Sequence, residues 1–289
     1  MKLIKQSFEI LDQQCGLEGI YKQIEIAGRT CYKSEDKITE DSAKEFVDRM
    51  IKSGHGAMLE HGTVYLTMQY GINREESDSI EKYVKNKYSK STMDEHGKYH
   101  ITTNLRVLVE NGWMDDLQYI CEPTEYHEKR ITVKFTTDQG ILREFTRHRV
   151  FSFAVESTRY CNYTKDKFSN EVTFIQPNWI SDEDVKDYHI NYNYFIDQDN
   201  NHITAVNRFM SALKNAEYFY MELIKLGWKP QQARNVLPLA TKCDMVMTGF
   251  VSDWKNFFEL RDAASAHPQA QELAHSLHEI FIQRGYIKD

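Results

Sequence analysis

The spacing of hydrophobic residues along the chain predicts an alternation of helices and short strands. Residues 39–51 combine a polar start with apolar positions at helical spacing. Residues 63–70 and 131–135 instead alternate apolar and polar positions, as strands with one buried face do. Residues 205–226 form a long amphipathic pattern that predicts a helix. Together these segments indicate a fold that contains both helices and strands.

Shorter or less regular patterns predict the remaining elements. They are a strand over 4–11, a helix over 18–27 that breaks at 28–32, a strand over 172–175, a loop or short helix over 182–201, a helix opened by Pro230, a strand over 244–251 and a helix over 268–284. A helix over 141–150 would carry Arg143, Glu144 and Arg147 on neighbouring turns. Ser252 is expected to cap a helix that ends at Arg261.

Residues 71–130 are more polar and more highly charged than the segments around them. We expect one exposed helix here, a mobile stretch at residues 91–98 and a more ordered helical part over residues 105–121. We interpret residues 71–130 as a polar insertion into one shared sheet, within a single domain that spans residues 1–289. The predicted fold class is α+β, with a small antiparallel or mixed sheet packed against long helices.

Composition limits the kinds of partner. The net charge of −7 argues against general binding to nucleic acid or to an anionic membrane surface. The five cysteines are odd in number and form no Cys-x-x-Cys pair, so reduced thiols in the cytoplasm are expected. No stretch approaches about 20 consecutive apolar residues, and the first residues lack the apolar run of a signal peptide.

The segment from residue 147 to residue 159 concentrates positive charge in an acidic chain. Arg147, His148 and Arg149 precede an apolar run, and Ser157 and Arg159 follow it. Guanidinium groups bind phosphate and carboxylate oxygens in a bidentate manner, so a small anionic ligand is the expected partner. We expect both flanks to point into one pocket, with Arg147 and Arg149 diverging on a helix and an extended segment after the run. Charge alone fits a surface segment paired with acidic neighbours equally well.

Four motifs carry a resemblance to a known family. The first is residues 147–157, which read Arg-His-Arg, seven further residues and Ser. The second is residues 54–61, which match a Gly-His-x-x-x-x-Glu-His segment. Residues 233–239 and 256–261 contain two further arginine motifs. In this order the motifs resemble those of the flavin-dependent thymidylate synthases.

The resemblance implies conversion of dUMP to dTMP, with methylenetetrahydrofolate as carbon donor and hydride from an FAD cofactor that NADPH reduces. It also implies a homotetramer in which the nucleotide and flavin sites are adjacent at subunit contacts. Arg261 would be the catalytic residue, whose permanent charge stabilises negative charge on the uracil ring. Glu144 stands where a glutamine is common in the family, and we expect Arg143 or Arg147 to neutralise it.

The same resemblance assigns residues to two binding sites. For dUMP the implied residues are Glu144, Arg147, Glu156, Ser157, Thr158, Arg159, Arg234 and Arg261. For FAD they are His55, Ala57, Glu60, Arg147, His148, Arg149, Val155, Ser252 and Asn256. No metal is assigned, because the spacing of His55, Glu60 and His61 matches no zinc motif.

Departures from the family pattern leave other functions open. Ala57, Val155 and Phe250 replace residues that are common in the family, which would suit a non-catalytic nucleotide-binding protein that retains the arginines. A metal-dependent nucleotide hydrolase that uses the histidines and the glutamate of residues 55–61 is a further alternative. No cysteine lies in a context that favours a covalent nucleophile.

Overall fold

The structure is a computed structural model that describes residues 1–71, 74–186 and 204–288. The strands are β1 (Lys2–Ile4), β2 (Ser7–Ile10), β3 (Thr63–Gln69), β4 (Lys90–Met93), β5 (Lys98–Asn104), β6 (Arg130–Asp138), β7 (Ser152–Val155), β8 (Thr173–Ile175) and β9 (Lys242–Phe250). The helices are α1 (Gly16–Tyr32), α2 (Ser42–Lys52), α3 (Gly56–Leu59), α4 (Arg74–Lys85), α5 (Leu105–Asn111), α6 (Gln139–Phe145), α7 (Asp182–Lys186), α8 (Ala205–Lys225), α9 (Pro230–Ala233), α10 (Val251–Arg261) and α11 (Pro268–Gln283).

A four-stranded antiparallel sheet of order β2-β6-β9-β7 forms the centre of the fold. Its side chains meet α6, α10 and α11 on one face, where Phe135 of β6 packs among the rings of Phe145 and Trp254. On the other face Ala154 and Val246 pack against Ala27 of α1. Both faces are therefore covered, which explains why seven successive residues of β9 are buried and not alternately exposed.

Two smaller sheets complete the α+β fold, so the single sheet expected from the sequence is wrong. Strand β3 pairs along its whole length with β5, from Thr63 opposite Asn104 to Gln69 opposite Lys98, and β4 flanks β5. The strands β1 and β8 form a separate parallel pair. β3 and β6 do not share a sheet, because the segment between them supplies the partner strand of β3.

The helix α1 continues through the expected break at residues 28–32. Gly28 is needed for close packing and not for a turn: a Cβ atom at this position would lie 2.4 Å from Cζ of the Phe46 ring. The last helical residue is Tyr32, and Lys33 caps the helix in a left-handed conformation with φ of 49°. The sequence predicted a break because it contains Gly28, but this glycine is required for the contact between α1 and Phe46 of α2.

The helix α6 ends earlier than predicted, at Phe145. The side chain of Asp138 accepts a hydrogen bond from the backbone N–H of Ile141 and starts the helix. The hydroxyl of Thr146 donates to the Leu142 carbonyl at 3.0 Å, and residues 146–151 continue as turns. Arg147 and Arg149 therefore project from turns, and the helix predicted to run to residue 150 is wrong there.

Two further predictions differ from the structure, and a third concerns a segment that the structure describes only in part. The helix α10 begins at Val251 and its first turn is capped by Asp253, which accepts from the backbone N–H of Phe250, so Ser252 is not the cap. Residues 91–98, expected to be mobile, form most of the β4–β5 hairpin. Of the loop or short helix predicted over 182–201, the structure describes only α7, while 187–201 lie outside the described residues. No described helix is long and apolar enough to cross a membrane.

Candidate active site

The short strand β7 separates the two groups of residues that the sequence placed in one pocket. Ser152 pairs with Thr248 and Val155 pairs with Met245 of the antiparallel strand β9. The turn with the Arg-His-Arg motif therefore lies at one end of β7, and residues 156–160 lie at the other. Because a strand advances about 3.3 Å per residue, more than about 10 Å separates the two groups within one chain. Within one chain the two groups thus start from opposite ends of β7, and one pocket shared by both stays a prediction.

Arg261, at the end of α10, is held by residues of the Arg-His-Arg end. Its Nη1 donates to Oε2 of Glu144 at 2.7 Å and its Nη2 donates to the Glu144 carbonyl at 2.9 Å. Its Nε donates to Nε2 of His148 at 3.0 Å. A guanidinium has five N–H donors, so two remain for a ligand. Arg261 also neutralises Glu144, a role that the sequence assigned to Arg143 or Arg147.

His148 orients Arg261 as a neutral ring. Its Nε2 accepts the hydrogen bond from Arg261, so its proton lies on Nδ1. Burial, and secondly the charge of Arg261, lower the pKa of His148 to about 4. The ring packs against Phe257 with a centroid distance of 5.1 Å. At neutral pH His148 therefore serves as an acceptor that fixes the direction of the Arg261 side chain.

Three arginines near this cluster are exposed to solvent: Arg143, Arg147 and Arg149. Among the residues that the structure describes, none of them has an ion-pair or hydrogen-bond partner for its guanidinium. Guanidinium groups carry donors only, and they bind phosphate oxygens in a bidentate manner. This end of β7 therefore presents a set of donors without protein acceptors.

Residues 156–160 form a turn and not the extended segment that the sequence suggested. The backbone N–H of Ser157 donates to the Cys31 carbonyl at 2.9 Å, and the N–H of Tyr160 donates back to the Ser157 carbonyl at 3.0 Å. The Thr158 hydroxyl accepts from Nη1 of Arg234 at 2.8 Å. The motif around Arg234 is thereby brought to this turn, as a clamp for one anion requires.

A buried network of charged residues fixes this turn to the sheet. The carboxylate of Glu156 accepts from Nζ of Lys242 at 2.8 Å and from the backbone N–H of Asp244 at 3.1 Å. Lys33 forms an ion pair with Asp244 and lies 3.7 Å from Glu156. Burial raises the pKa of Asp244, but Lys242 and Lys33 outweigh it and hold that pKa at about 2. Glu156 thus faces the protein interior in this structure.

Sequence reasoning missed Lys33, Lys242 and Asp244. Lys242 and Asp244 lie on the same face of β9 with one residue between them, which is a visible signal of a charged pair on a strand. Nothing in the local pattern connects them with Lys33 or with Glu156, because these residues are far apart in the sequence. The network is therefore a product of the tertiary fold.

The residues assigned to FAD are divided between several places in the fold. His55 lies near the turn at residues 156–160, since its Nδ1 is 3.3 Å from the Tyr32 hydroxyl and the Tyr32 ring packs against Tyr160. The carboxylate of Glu60 instead pairs with Arg106. Val155 is half-buried within β7 and Ala57 is exposed on α3. His148 and its two arginine neighbours are at the opposite end of β7, as described above.

The first turns of α10 hold the remaining two assigned residues. The Ser252 hydroxyl accepts from Nζ of Lys90 at 2.5 Å, and its backbone N–H donates to Glu128 at 3.1 Å. The side chain of Asn256 is exposed. Lys90 belongs to β4, so the polar segment between β3 and β6 reaches the start of α10. This contact was not expected from the sequence.

The residues considered for a metal site point to different neighbours. His61 is fully buried and its Nδ1 lies 2.8 Å from the Thr248 hydroxyl, and burial lowers its pKa to about 3. His55 contacts Tyr32 and Glu60 pairs with Arg106. Within the described ranges, no group of three or more His, Cys, Asp or Glu side chains is placed to hold a metal ion.

Comparison with known proteins gives similarity to one family. Residues 72–284 match the model of the thymidylate synthase complementing protein family. A probable flavin-dependent thymidylate synthase of Paramecium bursaria Chlorella virus 1 is 26% identical over 153 residues, which cover 53% of this chain and 66% of the relative. The flavin-dependent thymidylate synthase of Synechocystis is 27% identical over 154 residues, 53% of this chain and 66% of the relative.

The matched part is less than two thirds of the length of these relatives. Among solved structures, a UMP/dUMP methylase from Streptomyces cacaoi is 18% identical, with a TM-score of 0.43 over 98% of this chain and 93% of that chain, a score too low to carry an inference. The family match spans three of the four strands of the central sheet, namely β6, β7 and β9, together with the Arg-His-Arg motif and Arg261. The chain therefore belongs to the family of thymidylate synthase complementing proteins.

Proposed function

We propose that this protein is an enzyme that converts dUMP to dTMP, as a flavin-dependent thymidylate synthase. Family membership and the names of the relatives support this proposal. The observation that carries it is the geometry of Arg261. Its guanidinium is fixed by Glu144 and His148 and keeps two N–H donors for a ligand. Such a preorganised cation stabilises negative charge that develops on a substrate.

The turn at residues 156–160 is proposed to bind the phosphate of dUMP. Ser157 and Thr158 offer hydroxyl groups, and Arg159 and Arg234 offer exposed guanidiniums beside them. Charge-assisted hydrogen bonds of this kind are the strong ones in phosphate recognition. Glu156 would act through its buried ion pairs by holding the turn in place, and not by touching the nucleotide.

A homotetramer is proposed because one chain separates the two groups. Arg261, Glu144 and Arg147 lie at one end of β7, and Ser157 and Arg234 lie near the other. In this proposal a nucleotide that uses both groups receives them from different subunits. Closed assemblies of identical chains provide such shared sites, since each contact is repeated by symmetry.

The donor chemistry at the Arg-His-Arg end fits a flavin dinucleotide. Arg147 and Arg149 are exposed cations that have no carboxylate partner among the described residues, as a pyrophosphate site requires. Among the other assigned residues, His55, Ala57 and Asn256 are exposed and Val155 is half-buried, so each would be accessible to a cofactor to that extent. When bound, the reduced flavin would supply a hydride, with NADPH and methylenetetrahydrofolate as co-substrates.

Two assigned flavin residues are already paired within the chain. Glu60 pairs with Arg106, and the hydroxyl of Ser252 accepts a hydrogen bond from Lys90. For these two positions, cofactor binding would require an exchange of hydrogen-bond partners. The fit of the donor set therefore rests on the arginines, and Glu60 and Ser252 would contribute only after such an exchange.

The pKa shifts of four of the five thiols support a mechanism without a cysteine nucleophile. Burial raises the pKa of Cys31, Cys121 and Cys243, and a hydrogen bond to Glu122 raises that of Cys15. A thiol with a raised pKa is a poor source of the nucleophilic thiolate at neutral pH. In this proposal Arg261 activates the uracil ring electrostatically, and a covalent bond to the protein is not required.

The test is a sequence of measurements on the purified full-length protein. FAD is added, the visible spectrum is recorded, NADPH is then added anaerobically with dUMP present, and dTMP is finally measured after addition of methylenetetrahydrofolate. We expect flavin bands that bleach with NADPH, followed by dTMP formation. A protein that binds dUMP but takes up no FAD and forms no dTMP would contradict the proposal and favour a nucleotide-binding role.

A further inference from the structure

A cleft with several charged residues in its lining lies apart from the Arg-His-Arg end of β7 and beside the turn at residues 156–160. Its walls are the last turn of α1, the turn at residues 34–37 and the second half of α2. The lysines, arginines and acidic residues of its lining are Arg29, Lys33, Asp36, Lys37 and Arg49. Four of them are basic and one is acidic, in a chain whose net charge is −7. Such a local excess of positive charge attracts anions.

Two of the four cations have protein partners. The Arg29 guanidinium donates through Nε and Nη2 to one carboxylate oxygen of Glu25, at 3.1 and 2.9 Å. Lys33 takes part in the buried network with Glu156 and Asp244. These contacts leave Nη1 of Arg29 directed elsewhere, while Lys33 is fully engaged within the protein. Arg29 can therefore still contribute donors to the cleft.

The other two cations, Lys37 and Arg49, are exposed. Neither has an ion-pair partner in the described part of the chain. The guanidiniums of Arg49 and Arg29 both lie over the ring of Phe46, at 5.3 and 4.9 Å from its centroid. Phe46 is 2% exposed, so its ring gives both guanidiniums a rigid aromatic contact. Because Arg29 is already paired with Glu25, Arg49 is the one of these two cations whose charge is available to attract an anion.

The cleft adjoins the turn that is proposed to bind dUMP. Tyr32 and His55 line the cleft and are hydrogen-bonded to each other. The Tyr32 ring also packs against Tyr160, with a centroid distance of 5.9 Å, and Tyr160 is 62% exposed. A ligand in the cleft would therefore meet aromatic surface at one end and cations at the other.

We infer that this cleft binds the anionic end of an aromatic co-substrate. The inference rests on the proposed function, which requires two such molecules. A folate carries an aromatic ring system and a tail of glutamyl carboxylates, and NADPH carries an aromatic ring system and a 2′-phosphate. Both anions are recognised by the same donors, with Arg49 as the principal group and Lys37 as a second cation.

The experiment measures binding by calorimetry with full-length protein loaded with FAD and dUMP. The four probes are tetrahydrofolate monoglutamate, tetrahydrofolate triglutamate, NADPH and NADH. Arg49→Gln removes the charge, Arg49→Lys keeps it, and Arg74→Gln is the matched control because Arg74 is a 95% exposed arginine of α4 outside the cleft. Formation of dTMP is assayed with the same preparations.

We expect Arg49→Gln to weaken the binding of either tetrahydrofolate triglutamate or NADPH by roughly tenfold. The binding of the matching probe that lacks the additional anion, the monoglutamate or NADH, should stay unchanged. Loss of triglutamate affinity with monoglutamate unchanged identifies the glutamyl tail. Loss of NADPH affinity with NADH unchanged identifies the 2′-phosphate. Arg49→Lys should retain most of the affinity in either case, whereas Lys37→Gln should give a smaller loss.

The inference is overturned if Arg49→Gln matches Arg74→Gln for all four probes, or if the unmodified protein binds none of them. Formation of dTMP together with unchanged affinities would reject the cleft and leave the proposed function standing. Absence of dTMP together with a selective loss in Arg49→Gln would reject the proposed function and retain the cleft as an anion site.

Discussion

At one end of β7, Arg147 and Arg149 are exposed and have no ion-pair partner among the described residues, whereas at the other end Glu156 is buried between two lysines. The exposed arginines keep their hydration and lose little while no ligand is bound. The buried carboxylate has lost its hydration, so it depends on Lys242 and on the backbone of Asp244. The short strand β7 therefore connects two different regions. The Arg-His-Arg end presents cations that a ligand can bind, and the Glu156 end is fixed by buried ion pairs.

This difference suggests how to separate binding residues from supporting residues. Side chains that present donors without protein acceptors are candidates for contact with an anionic ligand. Side chains whose charges are paired below the surface, such as Glu156 and Lys33, are candidates for support. Arg261 combines both features, since three of its five donors are used by the protein and two are free.

The largest effect is expected from Glu156→Ala. The change leaves Lys33 and Lys242 with Asp244 as their main partner in a buried setting. Removal of one member of a buried ion pair leaves an uncompensated charge, so the free energy of unfolding should fall by about 3 kcal/mol. Urea denaturation of the variant and of the unmodified protein measures this difference.

The matched control for this change is Glu81→Ala. Glu81 also pairs with a lysine, Lys85, but on the exposed surface of α4. Exposed pairs contribute little to stability, so the urea midpoint should hardly move. Equal losses in Glu156→Ala and Glu81→Ala would remove the distinction between the supporting end of β7 and an ordinary surface.

The second effect concerns turnover and depends on Arg261. Arg261→Ala should reduce the rate of dTMP formation by about 100- to 1,000-fold, as loss of a preorganised electrostatic donor does, with a smaller change in dUMP affinity. Arg261→Lys should not restore the rate, because a lysine cannot bind Glu144 and His148 in the same fork geometry. The measurement is steady-state kinetics beside dUMP binding, with Lys255→Ala of the same helix as the control.

Equal losses in turnover and in dUMP affinity would contradict this role for Arg261. The residue would then bind the ground state and the transition state with the same strength. It would belong with the exposed arginines and not with the residues that hold geometry. The difference between the two ends of β7 would remain. Arg261 would then no longer combine a fixed side-chain geometry with donors that are available to a ligand.

Elements with strong periodicity were predicted closely from the sequence. The pattern over 205–226 corresponds to α8, and the alternation at 131–135 lies within β6. Their signals are local, because one amphipathic face repeats over many residues. The break predicted at Gly28 was wrong because the reason for that glycine is contact with Phe46, which belongs to another helix.

The candidate site was only partly predictable for the same reason. The motif order identified Arg261 and Arg234, and the fold brings them to Glu144 and Thr158 respectively. The length of β7, which sends the two halves of the arginine-rich segment apart, depends on pairing with a distant strand. Pairing of this kind is set by the tertiary fold and leaves no local signal in residues 147–159.

A third effect should be seen in binding of the nucleotide phosphate. Arg234→Ala should weaken dUMP binding by roughly tenfold to a hundredfold, the loss expected for a charge-assisted hydrogen bond. Deoxyuridine, which lacks the phosphate, should bind both proteins equally. Thr158→Val removes the hydrogen bond to Arg234 but keeps the cation, so its loss should be smaller. Equal losses for dUMP and deoxyuridine would mean that Arg234 does not contact the phosphate.

A fourth effect is a change in how stability depends on pH. Burial and the charge of Arg261 lower the pKa of His148 to about 4. A histidine in the unfolded chain has a pKa of about 6.5. Between these values the unfolded chain binds one more proton, so stability rises with pH and is lost as pH falls toward 4.

His148→Gln keeps an acceptor for Nε of Arg261 and removes the titration. Its unfolding free energy should therefore vary less steeply across this window, by at most about 1.4 kcal/mol per pH unit. Urea denaturation of both proteins at intervals across the window measures the two slopes. His61, whose pKa is also lowered, is present in both proteins and cancels in the comparison. Equal slopes would mean that His148 is not held as a neutral acceptor, and Arg261 would then lose the support that distinguishes it from its exposed neighbours.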